Sequence, residues 1–187
     1  MIFLNEHKYV NEIDEIELLH SIEVVENKKQ IVSYLETNRC VKAIDVDAID
    51  ISGYVLASPE WRNYCERNTL PAGRWRVALL KPGSKGAEVR AKESTVWRGD
   101  LEKLNQNIEE RSARIVTLAK DIGADLEIRY YESIPITRYM KVDQTVFESY
   151  YPADRTGADI NILVLPRDCI LRKRVEKEFD VLWNLLN

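Results

Sequence analysis

The sequence predicts a layered α/β domain, a mixed β-sheet flanked by helices. Three observations carry that prediction. Helical and strand-like segments alternate through the first two-thirds of the chain, four short strand-like segments cluster in the last third, and an amphipathic segment closes it. Composition agrees: of 187 residues, 45% are hydrophobic and 31% charged, the mix of a globular protein with one core. A chain of this length buries roughly two-thirds or more of its unfolded surface, enough for stability without metal or disulfides.

The elements follow in order. Leu18 to Val25 alternates loosely and reads as a strand or the start of a helix. Asn27 then caps a helix with Ile31, Val32 and Leu35 on one face. Val41 to Asp47 reads as a strand ending in carboxylates. Ser58-Pro59-Glu60 opens a helix, since serine caps and proline fits the first turn, and it runs through Trp61, Tyr64 and Cys65 to the break at Pro71-Ala72-Gly73. Arg74 to Lys81 is a strand whose Val77-Ala78-Leu79-Leu80 run predicts burial on both faces. Pro82-Gly83-Ser84 ends it. From Ala87 to Asp121 the apolar spacing is helical, with a break expected near Gly99, and Gly123 terminates it. Four short strands follow over Leu126–Tyr131, Ile136–Val142, Thr145–Tyr150 and Ile160–Leu165, separated by turn residues. Arg172 to Leu186 closes the chain as a helix that turns Val175, Phe179, Leu182, Trp183 and Leu186 to the core. No repeat or linker divides the chain, so residues 1–35 are read as an N-terminal segment, within the same domain or forming a dimer arm, and 36–187 as the domain itself.

Several function classes are excluded early. The first residues carry no basic leader and no long apolar region, and no apolar run approaches the ~20 residues of a membrane span; a cytoplasmic protein is expected. Cys40, Cys65 and Cys169 are odd in number and scattered, which fits reduced thiols better than disulfides. The two histidines, His7 and His20, sit in no metal-ligand or nucleophile spacing. No phosphate-loop, dinucleotide-binding, nucleophile-elbow or zinc motif occurs, so no cofactor and no resident metal are expected.

Charge is uneven along the chain. Residues 1–50 hold 5 basic and 11 acidic groups, whereas 72–120 hold 11 basic and 6 acidic ones. That asymmetry can give an acidic protein one positive face, suited to steering a phosphate-bearing ligand. Three groups of residues could use it. In Leu80 to Ala87 a strand passes into a helix, where backbone N–H groups and the helix dipole favour an anion, and Lys81, Ser84 and Lys85 would add donors. The strand-end Asp45 and Asp47 could hold a metal or accept from a hydroxyl. Arg129 and Arg138, on strands expected to be neighbours and flanked by tyrosines, could grip a phosphate or stack on a base. For each group a structural role competes: a turn, a cap, or arginines paired to Glu127, Glu132 or Glu148.

The order of these segments resembles bacterial phospholipase D-like domains of a divergent branch. Carrying the resemblance are the Ile-Asp-Val-Asp strand, Leu-Leu-Lys-Pro-Gly-Ser-Lys-Gly-Ala, the long helix, Ile-Arg-Tyr-Tyr, Ile-Pro, Val-Asp, Phe-Glu-Ser-Tyr-Tyr, Asn-Ile-Leu-Val-Leu and the closing Phe-x-x-Leu-Trp helix, across roughly residues 36–187. Active members of that family carry His-x-Lys, then Asp after four intervening residues, then a Gly-Ser stretch. Laid on this chain, Ile136 falls at the histidine, Arg138 at the lysine, Asp143 at the aspartate, and Glu148-Ser149-Tyr150-Tyr151 at the Gly-Ser stretch. Isoleucine has no nucleophilic atom, and arginine holds a phosphate without acting as a base. The resemblance therefore implies a degenerate, non-catalytic domain binding a phosphate-containing small molecule or nucleotide through Lys81, Ser84, Arg129, Arg138, Asp143 and Ser149. By analogy with the paired motifs of active relatives it also implies a homodimer.

Two other readings stand beside it. One is a regulatory module that docks a protein partner. The other is a nuclease or phosphodiesterase with a rewired, metal-dependent centre at Asp45, Asp47 and Asp143. Nucleic-acid binding through the basic 72–120 segment stays open, although the acidity of the whole chain weighs against backbone-dominated binding.

Overall fold

The computed structural model describes residues 22–38, 41–68, 70–134, 136–151 and 160–186. His7, His20 and Cys40, the first half of the expected 18–25 segment and residues 152–159 lie outside them. The described chain is an α/β fold built on one seven-stranded mixed sheet. Its strands are β1 (Glu23–Val25), β2 (Ile44–Asp50), β3 (Ala72–Leu80), β4 (Asp125–Tyr131), β5 (Thr137–Val142), β6 (Thr145–Tyr150) and β7 (Ile162–Leu165), in spatial order β1-β7-β6-β5-β2-β3-β4. The described helices are α1 (Gln30–Asn38), α2 (Pro59–Arg67), α3 (Lys85–Glu93), α4 (Leu101–Ile122) and α5 (Ile170–Leu185).

The pairing explains the two halves of the sequence. Strands β2, β3 and β4 run parallel and are joined by helical crossovers, as parallel neighbours require. Strands β5, β6, β7 and β1 continue the sheet antiparallel, with β5 against β2 and the two-residue turn Asp143-Gln144 joining β5 to β6. β2 is thus the strand where the parallel half meets the antiparallel half. In open α/β sheets the crevice beyond the carboxyl end of a strand at such a change of order is where ligands sit.

Two hydrophobic clusters lie on the two faces. Ile44, Val46 and Ala48 of β2 and Trp75, Val77 and Leu79 of β3 pack with α1, α2 and the second half of α4. Ala78 and Leu80 pack on the other face with α3, the first half of α4, and Val175, Phe179 and Trp183 of α5. The Val77–Leu80 run is therefore buried on both faces, as its composition predicts.

Local signals act as expected at the helix ends. Ser58 Oγ accepts from Trp61 N (3.1 Å) to cap α2, and Gly123 closes α4 at φ +75°. The 87–121 segment is two helices, separated by a seven-residue turn in which Arg98 (φ +49°) and Gly99 (φ +85°) reverse the chain. Strand β2 extends to Asp50, three residues beyond the expected Asp47, and that extension carries the site.

Candidate functional site

A cleft of about 290 Å³ opens beyond the carboxyl end of β2. The turn before α1 supplies Lys28 and Lys29, the end of β2 and the loop after it supply Asp50, Ser52 and Tyr54, and the end of α3 supplies Arg90. Ser94 and Trp97 come from the α3–α4 turn, Arg111 from α4, Arg138 from the start of β5, and Tyr151 from just past β6. Five cations thus face one carboxylate.

Asp50 and Arg138 form the floor. Their side chains are 8% and 6% exposed, with Arg138 Nε donating to Asp50 Oδ2 at 2.8 Å. Asp50 Oδ1 accepts from Ser52 N (3.1 Å) and from the Tyr151 hydroxyl (3.2 Å), and Tyr131 OH donates to the Asp50 carbonyl (3.2 Å). Burial alone would raise the Asp50 carboxyl, but Arg138 and Lys28 outweigh it and hold the group below its ordinary value. Burial opposes the Arg138 charge as well, and Asp50 more than restores it. Arg138 Nη1, buried, has no hydrogen-bond partner among the described residues. An unmet donor on a buried cation costs on the order of 1–3 kcal/mol, so the floor is built with unspent capacity for an acceptor.

Aromatic rings hold three of the other four cations. Lys28 Nζ lies 3.4 Å from the centre of the Tyr54 ring, and the Arg111 guanidinium 4.8 Å from it. Arg90 and Arg138 sit 5.2 and 4.9 Å from the Tyr151 ring. Arg111 Nη1 also donates to Ser52 Oγ at 2.6 Å. Ring faces tolerate cations without neutralising them. At Lys28 the pKa falls from 10.5 to about 8 through burial first and then through Arg138, against an opposing pull from Asp50 and with a smaller push from Arg111. Burial likewise lowers Arg90 and Arg111. Asp50 is the one carboxylate among the residues lining the cleft, and Glu93 also acts on Arg90.

Of the six residues chosen from sequence, Arg138 lies in this cleft. Ser149 stands directly opposite it in the β5–β6 register, buried, with Oγ unpartnered among the described residues. The other four lie elsewhere. Lys81 pairs with Glu132, and Ser84 Oγ caps α3 by accepting from Ala87 N (3.2 Å). The loop around them does not cradle an anion, because its amides are used internally: Gly83 N donates to Asn105 Oδ1, Ser84 N to the Lys81 carbonyl and Gly86 N to the Glu132 carbonyl. Arg129 does not neighbour Arg138, since β2 and β3 stand between β4 and β5. It pairs with Glu127, donates to the Trp183 carbonyl (2.6 Å) and stacks 4.4 Å from the Trp183 ring. Asp143 sits at the far end of β5 from Arg138, accepting from Lys42 N (2.9 Å).

The carboxylates of the metal-dependent reading are likewise engaged. Arg76 grips Asp47 with two bonds of 2.6 and 2.7 Å, and Asp45 Oδ1 accepts from Arg74 N (2.8 Å). Among the described residues no group of three or more His, Cys, Asp or Glu side chains is arranged to hold a metal ion. The described thiols, Cys65 and Cys169, are buried and unbridged, and burial pushes the Cys65 thiol up to about 12. No described helix is long and apolar enough to cross a membrane.

Sequence reasoning missed Lys28, Asp50, Arg90 and Arg111. Their signal is spatial: four separate segments meet at one strand end.

No protein-family model and no curated protein matches the chain. Among solved structures it is similar to TrmBL2, an archaeal chromatin protein whose structure shows a novel mode of DNA binding, at 16% sequence identity and a TM-score of 0.47. The match covers 96% of this chain, which spans 61% of that one.

Proposed function

We propose that the chain is a non-catalytic sensing or interaction module whose cleft binds a phosphate-bearing small molecule of about nucleotide size. The observation that carries this reading is the convergence of Lys28, Arg111 and Arg138 on Asp50, with one Arg138 amino group buried and unmatched among the described residues. A dianionic phosphate supplies what is lacking, since guanidinium groups bind its oxygens in pairs. The volume, about 290 Å³, is at the lower end for small-molecule sites and accommodates one compact ligand. Trp97 on the cleft wall offers a surface for an attached ring.

Chemistry at the site favours binding over turnover. Asp50 is held ionised by Arg138 and has its oxygens engaged, so it makes a poor base. Ser52 accepts from Arg111 and has no base beside it among its hydrogen-bonded neighbours. In the frame of the phospholipase D-like resemblance, Arg138 at the lysine position is a buried cation of the cleft floor, while Ile136 at the histidine position is 70% exposed and inert.

The test is a thermal-shift series with inorganic phosphate, pyrophosphate, mononucleotides, cyclic dinucleotides and short oligonucleotides at low and physiological salt. A ligand at 100 times its Kd adds about 2.7 kcal/mol to stability, which is readily seen as a rise in Tm. The expected result is a rise with a phosphate-bearing small molecule that Arg111→Gln removes, leaving the Asp50–Arg138 pair intact. No rise with any phosphate compound at millimolar concentration overturns the reading.

A further inference from the structure

We propose that β4 is a self-pairing edge, and that two copies of the chain join through it into one continuous sheet. The inference is independent of the cleft. The described sheet ends in two unlike edges. β1 spans three residues, the kind of short edge that discourages pairing. β4 spans seven, and all seven are in unbroken register with β3. A long regular edge strand is a template for another strand unless something covers it.

Backbone direction can be read from one bond. Lys81 N, following β3, donates to the Tyr131 carbonyl, so the polar groups of Tyr131 point toward β3. Alternation along the strand turns those of Leu126, Ile128 and Tyr130 outward, where they meet no described strand. Antiparallel pairing about a two-fold axis through Ile128 sets Leu126 opposite Tyr130 of the second copy and Ile128 opposite its own equivalent. Each of these is a pair with outward-pointing groups on both sides, so the N–H and C=O groups satisfy one another.

Side chains select the same register. Centred on Ile128, Glu127 faces Arg129 of the second copy, and Arg129 faces its Glu127, so the Glu127–Arg129 pair within each copy is joined by two opposite-charge pairs across the strands. Centring on Glu127 would set two glutamates face to face, and centring on Arg129 would do so with two arginines. A shift by a single residue would oppose the apolar side to the charged side. On the other face Leu126 and Ile128 continue the core, and Val116 of α4 and Tyr130, 49% and 40% exposed, line an apolar groove that a second copy would cover. The self-complementarity of one strand in charge, polarity and backbone direction points to a second copy as the occupant.

Sedimentation equilibrium of the full chain at micromolar concentrations tests this together with two variants. The expected result is a dimer whose dissociation constant Glu127→Arg raises by about tenfold or more, because both cross-strand pairs become repulsive. Ile128→Cys supplies the register: residues opposite in a hydrogen-bonded antiparallel pair lie ~5.5 Å apart at Cα, within disulfide reach. Mild oxidation should then link two copies covalently, whereas Glu127→Cys and the unsubstituted chain should stay unlinked. A monomer at 100 μM overturns the proposal. So does a dimer that Glu127→Arg leaves unchanged and Ile128→Cys does not crosslink, which would mean association through another face. Circular dichroism and a cooperative melt of each variant confirm that it is folded, and Glu127→Arg, on an exposed side chain, gives the answer if Ile128→Cys does not fold.

Discussion

In the proposed function Lys28 serves binding at the expense of stability, and replacing it should separate the two. In the folded chain its pKa is lowered from 10.5 to about 8 by burial and by Arg138 and Arg111. At pH 7 the ammonium is therefore held charged in a place that disfavours charge, at a cost of roughly 3 kcal/mol. The Tyr54 ring beneath Nζ returns about 1 kcal/mol of that. Lys28→Met keeps the length of the side chain and deletes the charge, so the ligand-free protein should gain about 1–2 kcal/mol, a Tm rise of roughly 2–6 °C for a chain of this size. The pH dependence fixes the cause. Because the folded value lies below the unfolded one, the penalty is complete below pH 8 and is relieved as pH rises from 8 to 10.5, where the two proteins should converge. Urea unfolding at pH 7, 8, 9 and 10 measures this difference directly. A destabilised Lys28→Met variant at pH 7, or a difference that does not change across that range, would refute the account of the cleft as an unbalanced cationic site.

Three further outcomes follow from the same geometry. Asp50→Asn should cost about 3–5 kcal/mol in chemical denaturation, because it strands the buried Arg138 guanidinium without its counter-charge. The Asp50 contribution in the unsubstituted chain is present above its ordinary value of 3.8 and is lost as pH falls through the lower folded value, so acid titration of Asp50→Asn should lack that part of the stability loss. Gly86→Ala should destabilise the α3 start by about 1–3 kcal/mol in thermal melts, since a Cβ there would stand 2.4 Å from the Ser133 carbonyl oxygen and 2.6 Å from that of Glu132, both backbone atoms. Arg129→Met should lower stability without changing anion binding, measured by melts with and without pyrophosphate, because Arg129 acts through Trp183 and Glu127.

The sequence made the layered fold legible because its signals are local. Ser58 before Pro59 marks a helix start, the Val77–Leu80 run marks a doubly buried strand, and Gly123 marks a helix end; each works through the residues beside it. The site was legible only at Arg138. Asp50 is hidden because the strand reads as ending at its earlier carboxylates, of which Asp45 is bound by the Arg74 backbone near the start of β2 and Asp47 by the Arg76 guanidinium at its middle. Arg129 and Arg138 are nine residues apart with a turn between, which suggests neighbouring strands, yet β5 joins the sheet beside β2 and leaves β4 at the edge. Strand order is decided by which surfaces the helices cover, and no spacing in the chain encodes it. The Leu80–Ala87 loop has the composition of an anion cradle, but whether its amides are free depends on Asn105 and Glu132, which sequence distance hides.

The central proposal is that the cleft binds a phosphate-bearing anion, and calorimetric titration with pyrophosphate at pH 8, in two buffers of different ionisation enthalpy, tests it most directly. At that pH Lys28 is about half protonated. A bound phosphate group raises its pKa, so binding should draw up to about half a proton from the buffer into the unsubstituted protein, and Lys28→Met should bind more weakly without that uptake. Absence of binding heat, or binding of equal affinity and equal proton count in the two proteins, would contradict the account.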